Sequence, residues 1–291
     1  MVSVRPGMFR AARVLALGSV LLLGGCSSTT FFYNRLDLIL PWYLGDYVDL
    51  DRTQKQQLKI LLEPFLDWHR REELPAYLEV LALIENRLDD EVTADDIAVI
   101  ANAFEAAWFR LETRALEWML VLGEDLSDEQ MAAFVQRLWD KQEEYEDKYL
   151  KRDDDQYRED AYDNLLDNSS DYLGRLDWGQ RGMLEEAAAR LKRADRVWLD
   201  ERAGWIERLD DILRRENGWQ QALLDAMAAR DETVSPQYLD VYSHNTGVVY
   251  EVLADLLNSR ADRQDQRLRR ELAELRADME GLTAQTLESG G

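Results

Sequence analysis

The chain has very few residues of the kinds that bind metals or form cross-links. Its 291 residues include one cysteine, Cys26, and two histidines, His69 and His244. A single cysteine cannot form an internal disulfide, and two histidines cannot supply a histidine-rich zinc site. We therefore predict no metal site and no cofactor.

Basic charge and long apolar runs are also scarce. The chain has 35 basic residues against 58 acidic ones, a formal net charge of −23. Nucleic-acid binding depends on clustered lysine and arginine that release counterions from phosphates. The composition argues against a nucleic-acid partner, and we expect no basic phosphate-binding stripe. A charged fraction of 32% and a mean hydropathy of −0.45 exclude a polytopic membrane protein.

What the sequence does contain begins with an export-like segment. Residues 1–25 carry three arginines and then an apolar stretch over 14–23, which is too short for a bilayer span of roughly 20 residues. The segment ends in Leu23-Gly24-Gly25-Cys26, which resembles the lipobox of bacterial lipoproteins. The resemblance implies cleavage before Cys26 and acylation of its sulfur. The alternative is a buried cysteine that follows an ordinary signal peptide.

Cleavage at this point would make the protein more acidic and place it beside a membrane. Removing 25 residues, three of them arginine and none acidic, leaves 266 residues with a net charge of −26. By the same resemblance, Ser27 after the cysteine directs the protein to the outer membrane, facing the periplasm. Residues 26–30 are predicted to be a tether that reaches at most about 14 Å. The expected partners are the membrane, through the lipid anchor, and basic envelope proteins or peptides. The sequence does not indicate an oligomeric state.

The segment after the predicted tether is rich in large apolar side chains. Residues 31–45 contain only Arg35 and Asp37 as charges. Its apolar and aromatic members include Phe31, Phe32, Tyr33, Leu36, Ile39, Leu40, Trp42 and Tyr43. They can lie on the membrane as an interfacial segment, or they can cap the helical core. We favour the second interpretation.

Apolar residues spaced three and four apart predict an all-α fold for residues 31–285, in an elongated bundle of about six or seven helices. The predicted helices cover residues 51–73, 75–89, 93–122, 127–167, 177–215, 218–231 and 236–280. The first is expected to bend or break at Pro64, and the polar stretch 258–267 to project into solvent or break the last helix. We expect residues 286–291 to be frayed.

Three helix starts share one pattern, a leucine, a capping residue and a glutamine three positions later. They are Leu50-Asp51-x-x-Gln54, Leu126-Ser127-x-x-Gln130 and Leu176-Asp177-x-x-Gln180, with Val92-Thr93-x-x-Asp96 as a degenerate copy. The pattern predicts capping boxes. It also resembles the LTxxQ motif of small periplasmic helical chaperones, which suggests client binding as an alternative.

A wider resemblance covers most of the chain after residue 25. The runs Tyr33-Asn34-Arg35-Leu36-Asp37, Trp42-Tyr43-Leu44-x-Asp46-Tyr47-Val48-Asp49-Leu50 and Trp68-His69-Arg70-x-x-Glu73-Leu74-Pro75-x-Tyr77 are similar to an uncharacterised family of Gram-negative lipoproteins. The resemblance implies the envelope location and the helical fold. It implies no activity, ligand or catalytic residue.

Two groups of side chains are candidates for binding. The first is Trp68, His69 and Arg70, in which His69 suits a general base and Arg70 with Arg71 suits an anionic group. We favour a structural, salt-bridged helix end there. The second is Tyr145, Tyr149 and Arg152, which suits a tyrosine-lined ligand groove. We favour a partly solvated, overhanging helix whose tyrosines reach back to the surface.

No catalytic signature is present in the sequence. The acidic run that begins at Asp153 has arginine and asparagine where a calcium-binding loop needs glycine and glutamate. Nucleophile elbows, phosphate-binding glycine loops and zinc-protease motifs are missing. We therefore predict no catalytic residues and interpret the protein as an interaction or structural module. The alternatives are a chaperone-like client binder and a hydrolase with an unrecognised pair of carboxylates.

Overall fold

The computed structural model describes residues 28–289, and these residues form an all-α fold. The α-helices are α1 Ser28–Tyr33, α2 Leu36–Leu44, α3 Arg52–Trp68, α4 Leu74–Arg87, α5 Ala94–Glu124, α6 Asp128–Tyr149, α7 Asp154–Leu173, α8 Trp178–Arg190, α9 Asp195–Leu213, α10 Trp219–Ala228, α11 Pro236–Asn258 and α12 Asp262–Ser289. A π-helical turn, His69–Glu73, joins α3 to α4, and a 3₁₀ turn, Arg230–Glu232, follows α10. The described residues contain no strand.

The predicted fold class is confirmed, but the helices are more numerous and shorter than expected. The predicted helix 127–167 ends at Tyr149, and a new one begins after Asp153, whose side chain accepts a hydrogen bond from the backbone N–H of Gln156. The predicted helix 177–215 stops at Arg190 because Leu191 is extended. The last predicted helix breaks between Asn258 and Asp262, one of the two outcomes expected for that polar stretch.

Both ends of the described chain are more helical than the sequence suggests. Helix α1 begins at Ser28, so residues 28–30 of the predicted tether are helical rather than extended. Helix α12 continues to Ser289, into the segment expected to fray. The predicted signal segment, Cys26 and Ser27 lie outside the described residues.

The chain passes Pro64 without a break and changes its helical pitch near Pro75 instead. Pro64 lies inside α3, which continues to Trp68. Pro75 is the second residue of α4 and cannot donate a hydrogen bond to the preceding turn. A proline ring also clashes with the carbonyl four residues earlier, and the wider π turn gives that carbonyl room. The π turn places His69 and Glu73 toward the interior of the bundle.

The interior consists of one large apolar cluster and two smaller ones. The large cluster joins α4, α5, α7, α8, α11 and α12 around leucines such as Leu81, Leu184 and Leu256. A second cluster joins the α2 and α3 region to the α5–α6 connection, through Leu58, Leu62 and Leu126. The third packs α9 against the start of α11.

Candidate functional site

His69 is enclosed between two tyrosines from different helices. Its Nδ1 lies 2.8 Å from the Tyr33 hydroxyl on α1, and its Nε2 lies 3.4 Å from the Tyr77 hydroxyl on α4. The ring centroids of both tyrosines are 5.6 Å from the imidazole centroid. Both ring nitrogens therefore have partners within the chain, and the histidine joins α1 to the π turn.

Burial and a neighbouring positive charge favour the neutral form of His69. Burial, and then the positive charge of Arg70, lower the pKa of His69 to about 4. Burial raises the pKa of Tyr33 to about 12, against the opposing effect of Arg70. Burial also raises the pKa of Tyr77, with the Glu73 carboxylate adding to the shift. At neutral pH the imidazole is unprotonated and both phenols keep their protons, so the three groups form an uncharged network.

Arg70 and Trp68 contact neighbouring parts of the same chain. The Arg70 guanidinium lies 5.3 Å from the Tyr33 ring centroid, and its Nη2 donates to Asn34 Oδ1 at 3.1 Å. Trp68 Nε1 donates to Glu72 Oε2 at 3.1 Å. These are the contacts of a structural junction between α1 and the π turn. A binding role for Trp68, His69 and Arg70 stays a prediction.

An ion pair beside this junction, between a buried carboxylate and a half-exposed arginine, has no clear signal in the sequence. Glu73 is 2% exposed, and its two carboxylate oxygens accept from Arg110 Nε at 2.6 Å and Nη2 at 2.9 Å. Glu73 lies in a run of charged residues that is typical of an exposed helix surface. Its partner, Arg110, lies 37 positions away on α5. The π turn is what directs Glu73 inward.

The second candidate group is filled by protein side chains. Tyr145 and Tyr149 lie against Trp198 of α9, with centroid distances of 5.6 and 5.9 Å. Arg152 stacks on Tyr149 at 4.9 Å and binds Asp195 through Nε at 3.0 Å and Nη2 at 2.5 Å. Helix α9 therefore packs against these side chains, which remain partly exposed. A binding role for Tyr145, Tyr149 and Arg152 stays a prediction.

The acidic run next to this group is used for capping and pairing. Asp153 caps α7, Asp154 pairs with Arg193 at 2.9 Å, and Asp155 pairs with Arg158 at 2.9 Å. Within residues 28–289, no group of three or more His, Cys, Asp or Glu is arranged to hold a metal ion.

The repeated helix starts pair with one another across the fold. All three predicted capping boxes are present, and so is the degenerate copy at Thr93. Gln54 and Gln130 also exchange two hydrogen bonds, Nε2 to Oε1 in each direction, at 2.9 and 2.8 Å. Each glutamine then donates its second amide hydrogen to a backbone carbonyl just before the partner's cap. The pair ties the start of α3 to the start of α6.

Gln180 pairs in the same way with a glutamine that the sequence pattern does not include. Gln180 and Gln264 exchange amide hydrogen bonds at 2.9 Å in both directions, and Gln264 Oε1 accepts from the backbone N–H of Ala261 at 3.0 Å. Helix α12 thus begins with a further copy of the motif. We missed it because alanine takes the place of the capping Asp or Ser.

The first two helices present apolar side chains to solvent. Leu40 and Leu44 of α2 pack on the second apolar cluster. Leu38 and Trp42 lie on the opposite side of the same helix and are 62% and 72% exposed. One face of α2 therefore packs on the body, and the other face is exposed. The interfacial role of this segment stays a prediction. Phe31 is one of the residues whose side chain lies outside the description.

Helix length and polarity limit how the described part can meet a membrane. Within residues 28–289, no helix is both long enough and apolar enough to cross a bilayer.

The fold and these sites define a helical protein with capped, paired helix starts and a polar junction at a π turn. The chain belongs to a family of unknown function, DUF6279, whose model matches residues 46–239. This result confirms the resemblance to an uncharacterised family, and it leaves the LTxxQ similarity unsupported. Neither the curated proteins nor the solved structures contain a match.

Proposed function

We propose that this protein is a lipid-anchored lipoprotein of the cell envelope, attached through Cys26 to the outer membrane and facing the periplasm. Its helical body serves as a non-catalytic interaction module. The observation that carries the proposal is the exposed apolar face of α2, a helix that begins ten positions after the cysteine of a sequence that resembles a lipobox.

The position of this face suits a bilayer as its occupant. Only Ser27 lies between Cys26 and the start of α1, and two residue steps span at most about 7 Å. Leu38 and Trp42 are four positions apart on α2, so they share one side of the helix. Tryptophan and leucine on a short helix with few charges are typical of segments that rest in the interfacial region of a bilayer. An acylated Cys26 would hold this face at the lipid surface.

The contacts of the candidate residues support a module without catalysis. A general base needs an accessible nitrogen with a pKa near the working pH. His69 has both nitrogens within reach of tyrosines, and burial lowers its pKa to about 4. Asp195 and Glu73, two buried carboxylates, are each held by arginine. Such groups stabilise the fold and leave no free acid and base pair between them.

The lipid anchor is tested by metabolic labelling of the full-length protein. Wild type should incorporate a fatty acid and sediment with membranes. Cys26→Ala should remain as unprocessed precursor without label. Ser27→Ala is the matched control, because it changes the adjacent residue and leaves the acylated sulfur, and it should label normally. Label that persists in Cys26→Ala would overturn the anchor.

The charge of the body favours basic partners. A formal charge of −26 after cleavage attracts cationic surfaces and speeds their association, while salt screens exposed charges beyond roughly 8 Å. The domain without Cys26 should therefore enrich basic envelope proteins or peptides in pull-downs at low salt and release them at high salt. Enrichment of acidic proteins or nucleic acid would contradict this part of the proposal.

A further inference from the structure

Four arginines converge on a cleft in this otherwise acidic protein. The cleft has a volume of about 580 Å³ and lies between the α7–α8 connection and the start of α12. Its lining is Leu173, Gly174, Arg175, Arg263, Gln264, Gln266, Arg267 and Arg270, with no acidic residue among them. The expectation that the chain carries no basic stripe is therefore wrong at this place. Arg175 lies far in sequence from the other three arginines, so the sequence does not show the cluster as one basic run.

The helix geometry of α12 sets three of these arginines on one side. Arg263, Arg267 and Arg270 are spaced by four and three positions, which is the spacing of neighbours on a helix face. The cross-linked glutamines Gln180 and Gln264 hold the start of α12 against the start of α8. This pairing brings Arg175, just before α8, to the same cleft.

The arginines of the cleft lack the close acidic partners that other arginines of this chain have. Arg175 and Arg263 form no ion pair within the described part of the chain. The contacts of Arg267 and Arg270 with glutamates on α12 are 3.6 to 4.0 Å long. By contrast, Arg110 and Arg276 reach their carboxylates at 2.6 and 2.5 Å. The positive charge of the cleft is therefore paired with carboxylates only at the longer of these distances.

Arg267 is held in position with a donor unused. Its Nη2 donates to the carbonyl of Asp171 at 3.0 Å, while its Nε is buried and has no hydrogen-bond acceptor. Gly174, with φ +72°, lets the side chain pass closely, since a Cβ there would lie 3.2 Å from Arg267 Cδ. The nearest carboxylate oxygen, Glu271 Oε1, is 4.0 Å from this Nε, so the hydrogen-bonding capacity of the guanidinium is not fully used within the chain.

We infer that this four-arginine cleft binds a phosphate group. Guanidinium groups match phosphate oxygens in pairs, and several of them together suit a group that carries two charges and three oxygens. A carboxylate needs fewer arginines than a phosphate, since Arg110 alone donates to both oxygens of the Glu73 carboxylate in this chain.

The cleft is separate from the membrane-facing surface proposed above and does not depend on it. Gln264 at the cleft lies fourteen positions before Asp278, which accepts a hydrogen bond from Thr30 of α1. That interval is about 21 Å along α12. The phosphate can be carried by a soluble molecule or by a lipid headgroup, and the two sources call for separate measurements.

Calorimetric titration of the domain lacking residues 1–26 with inorganic pyrophosphate at low salt tests the site. Arg175→Gln/Arg263→Gln removes two exposed arginines that hold nothing else in place, and it should weaken binding roughly tenfold or more. Arg158→Gln/Arg214→Gln is the matched control, because it removes the same charge at exposed positions outside the cleft lining. It should leave the affinity within about twofold, since screened charges outside the cleft contribute little.

The source of the phosphate follows from vesicle binding by the same variants. Phosphatidylcholine vesicles with phosphatidylglycerol retain the domain through the cleft only if the bound phosphate is a headgroup, and pure phosphatidylcholine is the blank. Pyrophosphate binding that depends on Arg175 and Arg263 supports the proposal with either vesicle result. Absence of pyrophosphate binding by the wild type, equal binding by all variants, or tighter binding of citrate than of pyrophosphate would overturn it.

Discussion

At the residue scale, His69 shows how a reactive side chain becomes a structural one. The sequence places it in a run of charged residues and suggests a base. In the fold the π turn moves it inward, where two tyrosine hydroxyls contact its nitrogens. Burial then lowers its pKa to about 4, so the native state keeps it neutral over the physiological range.

Protonation of His69 should destabilise the folded state in mildly acidic solution. The folded pKa, about 4, lies below the unfolded value of about 6.5, so between these values the unfolded chain binds more protons. Stability contributed by neutral His69 is complete above pH 6.5 and falls by up to about 3 kcal/mol as the pH drops toward 4. Urea unfolding at several pH values measures this slope.

The variant His69→Gln should show a flatter slope in that interval than the wild type. His244→Gln, a change at the exposed histidine, serves as the control and should follow the wild type. Carboxylates titrate near the lower end of the range in every protein, so the difference between slopes is the quantity to compare. Parallel curves for wild type and His69→Gln would contradict the assignment.

The pair of buried Glu73 and half-exposed Arg110 should contribute more stability than a pair on the same helix in which both partners are exposed. Arg110→Met leaves a carboxylate that is 3% exposed without its partner, and we expect a loss of about 2–3 kcal/mol. Arg114→Met breaks an exposed pair with Glu117 and should cost less than about 1 kcal/mol. Glu73→Gln/Arg110→Met should recover part of the loss. Equal losses from the two single variants, measured by urea unfolding, would refute this ranking.

At the element scale, helix starts are more predictable than helix lengths. Asp51, Ser127 and Asp177 act on their own first turn, so a local pattern identifies them correctly. The break at residues 150–153 is set by tertiary contacts, since Arg152 turns toward Asp195 on α9. Likewise Gln264 becomes part of the motif only because Gln180 faces it. Contacts between distant segments leave no periodic signal, so neither feature follows from the sequence.

The capping residues should stabilise their helices by a local effect. Replacement of Asp51, Ser127 or Asp177 by alanine removes the acceptor for a first-turn N–H and should cost about 0.5–2 kcal/mol without changing what the protein binds. Glycine at the same positions should cost only a few tenths of a kcal/mol. Thermal or urea unfolding distinguishes the two series. A loss of binding by Ser127→Ala at unchanged stability would favour the chaperone-like alternative.

The glutamine pair at α8 and α12 should behave as a coupled unit. In a double-mutant cycle, Gln180→Ala and Gln264→Ala should each destabilise, and the combined variant should lose less than the sum by about 1 kcal/mol. The exposed pair Gln136 and Asp140 on α6 provides the control, with a coupling below about 0.5 kcal/mol. Additive losses at Gln180 and Gln264 would show that the mutual hydrogen bonds do not tie the two helices together.

At the scale of the whole molecule, the uneven distribution of charge and apolar surface distinguishes the two ends of α12. Near its C-terminal half, Asp278 contacts α1, which leads into the exposed apolar face of α2. At its start, the four-arginine cleft concentrates basic side chains in a chain whose net charge is −23. The composition predicts the overall acidity. The positions of the apolar face and of the four-arginine cleft depend on which helices pack together, so the composition does not predict them.

The proposed contact between the α2 face and the membrane also predicts how the domain without a lipid anchor binds vesicles. With Cys26 removed, Leu38→Ser/Trp42→Ser should reduce residual binding to phosphatidylcholine vesicles, because it removes the exposed apolar face of α2. Both side chains are exposed, so the double substitution should change the free energy of unfolding by less than about 1 kcal/mol. Sedimentation with vesicles measures the difference. Ile60→Ser, at a 66% exposed position on α3, is the control and should leave vesicle binding unchanged.

The most direct test of the membrane-anchored arrangement uses the single native cysteine. If Cys26 is acylated as proposed, no native thiol is free, so Trp42→Cys and Trp178→Cys should each accept one spin label, at positions that are 72% and 90% exposed. In vesicles, accessibility to oxygen, which dissolves in lipid, and to a water-soluble nickel reagent is then compared. The account predicts one label per chain, a lipid-exposed label at position 42 and a water-exposed label at position 178. A second label on Cys26, or equal water exposure at both positions, would contradict it.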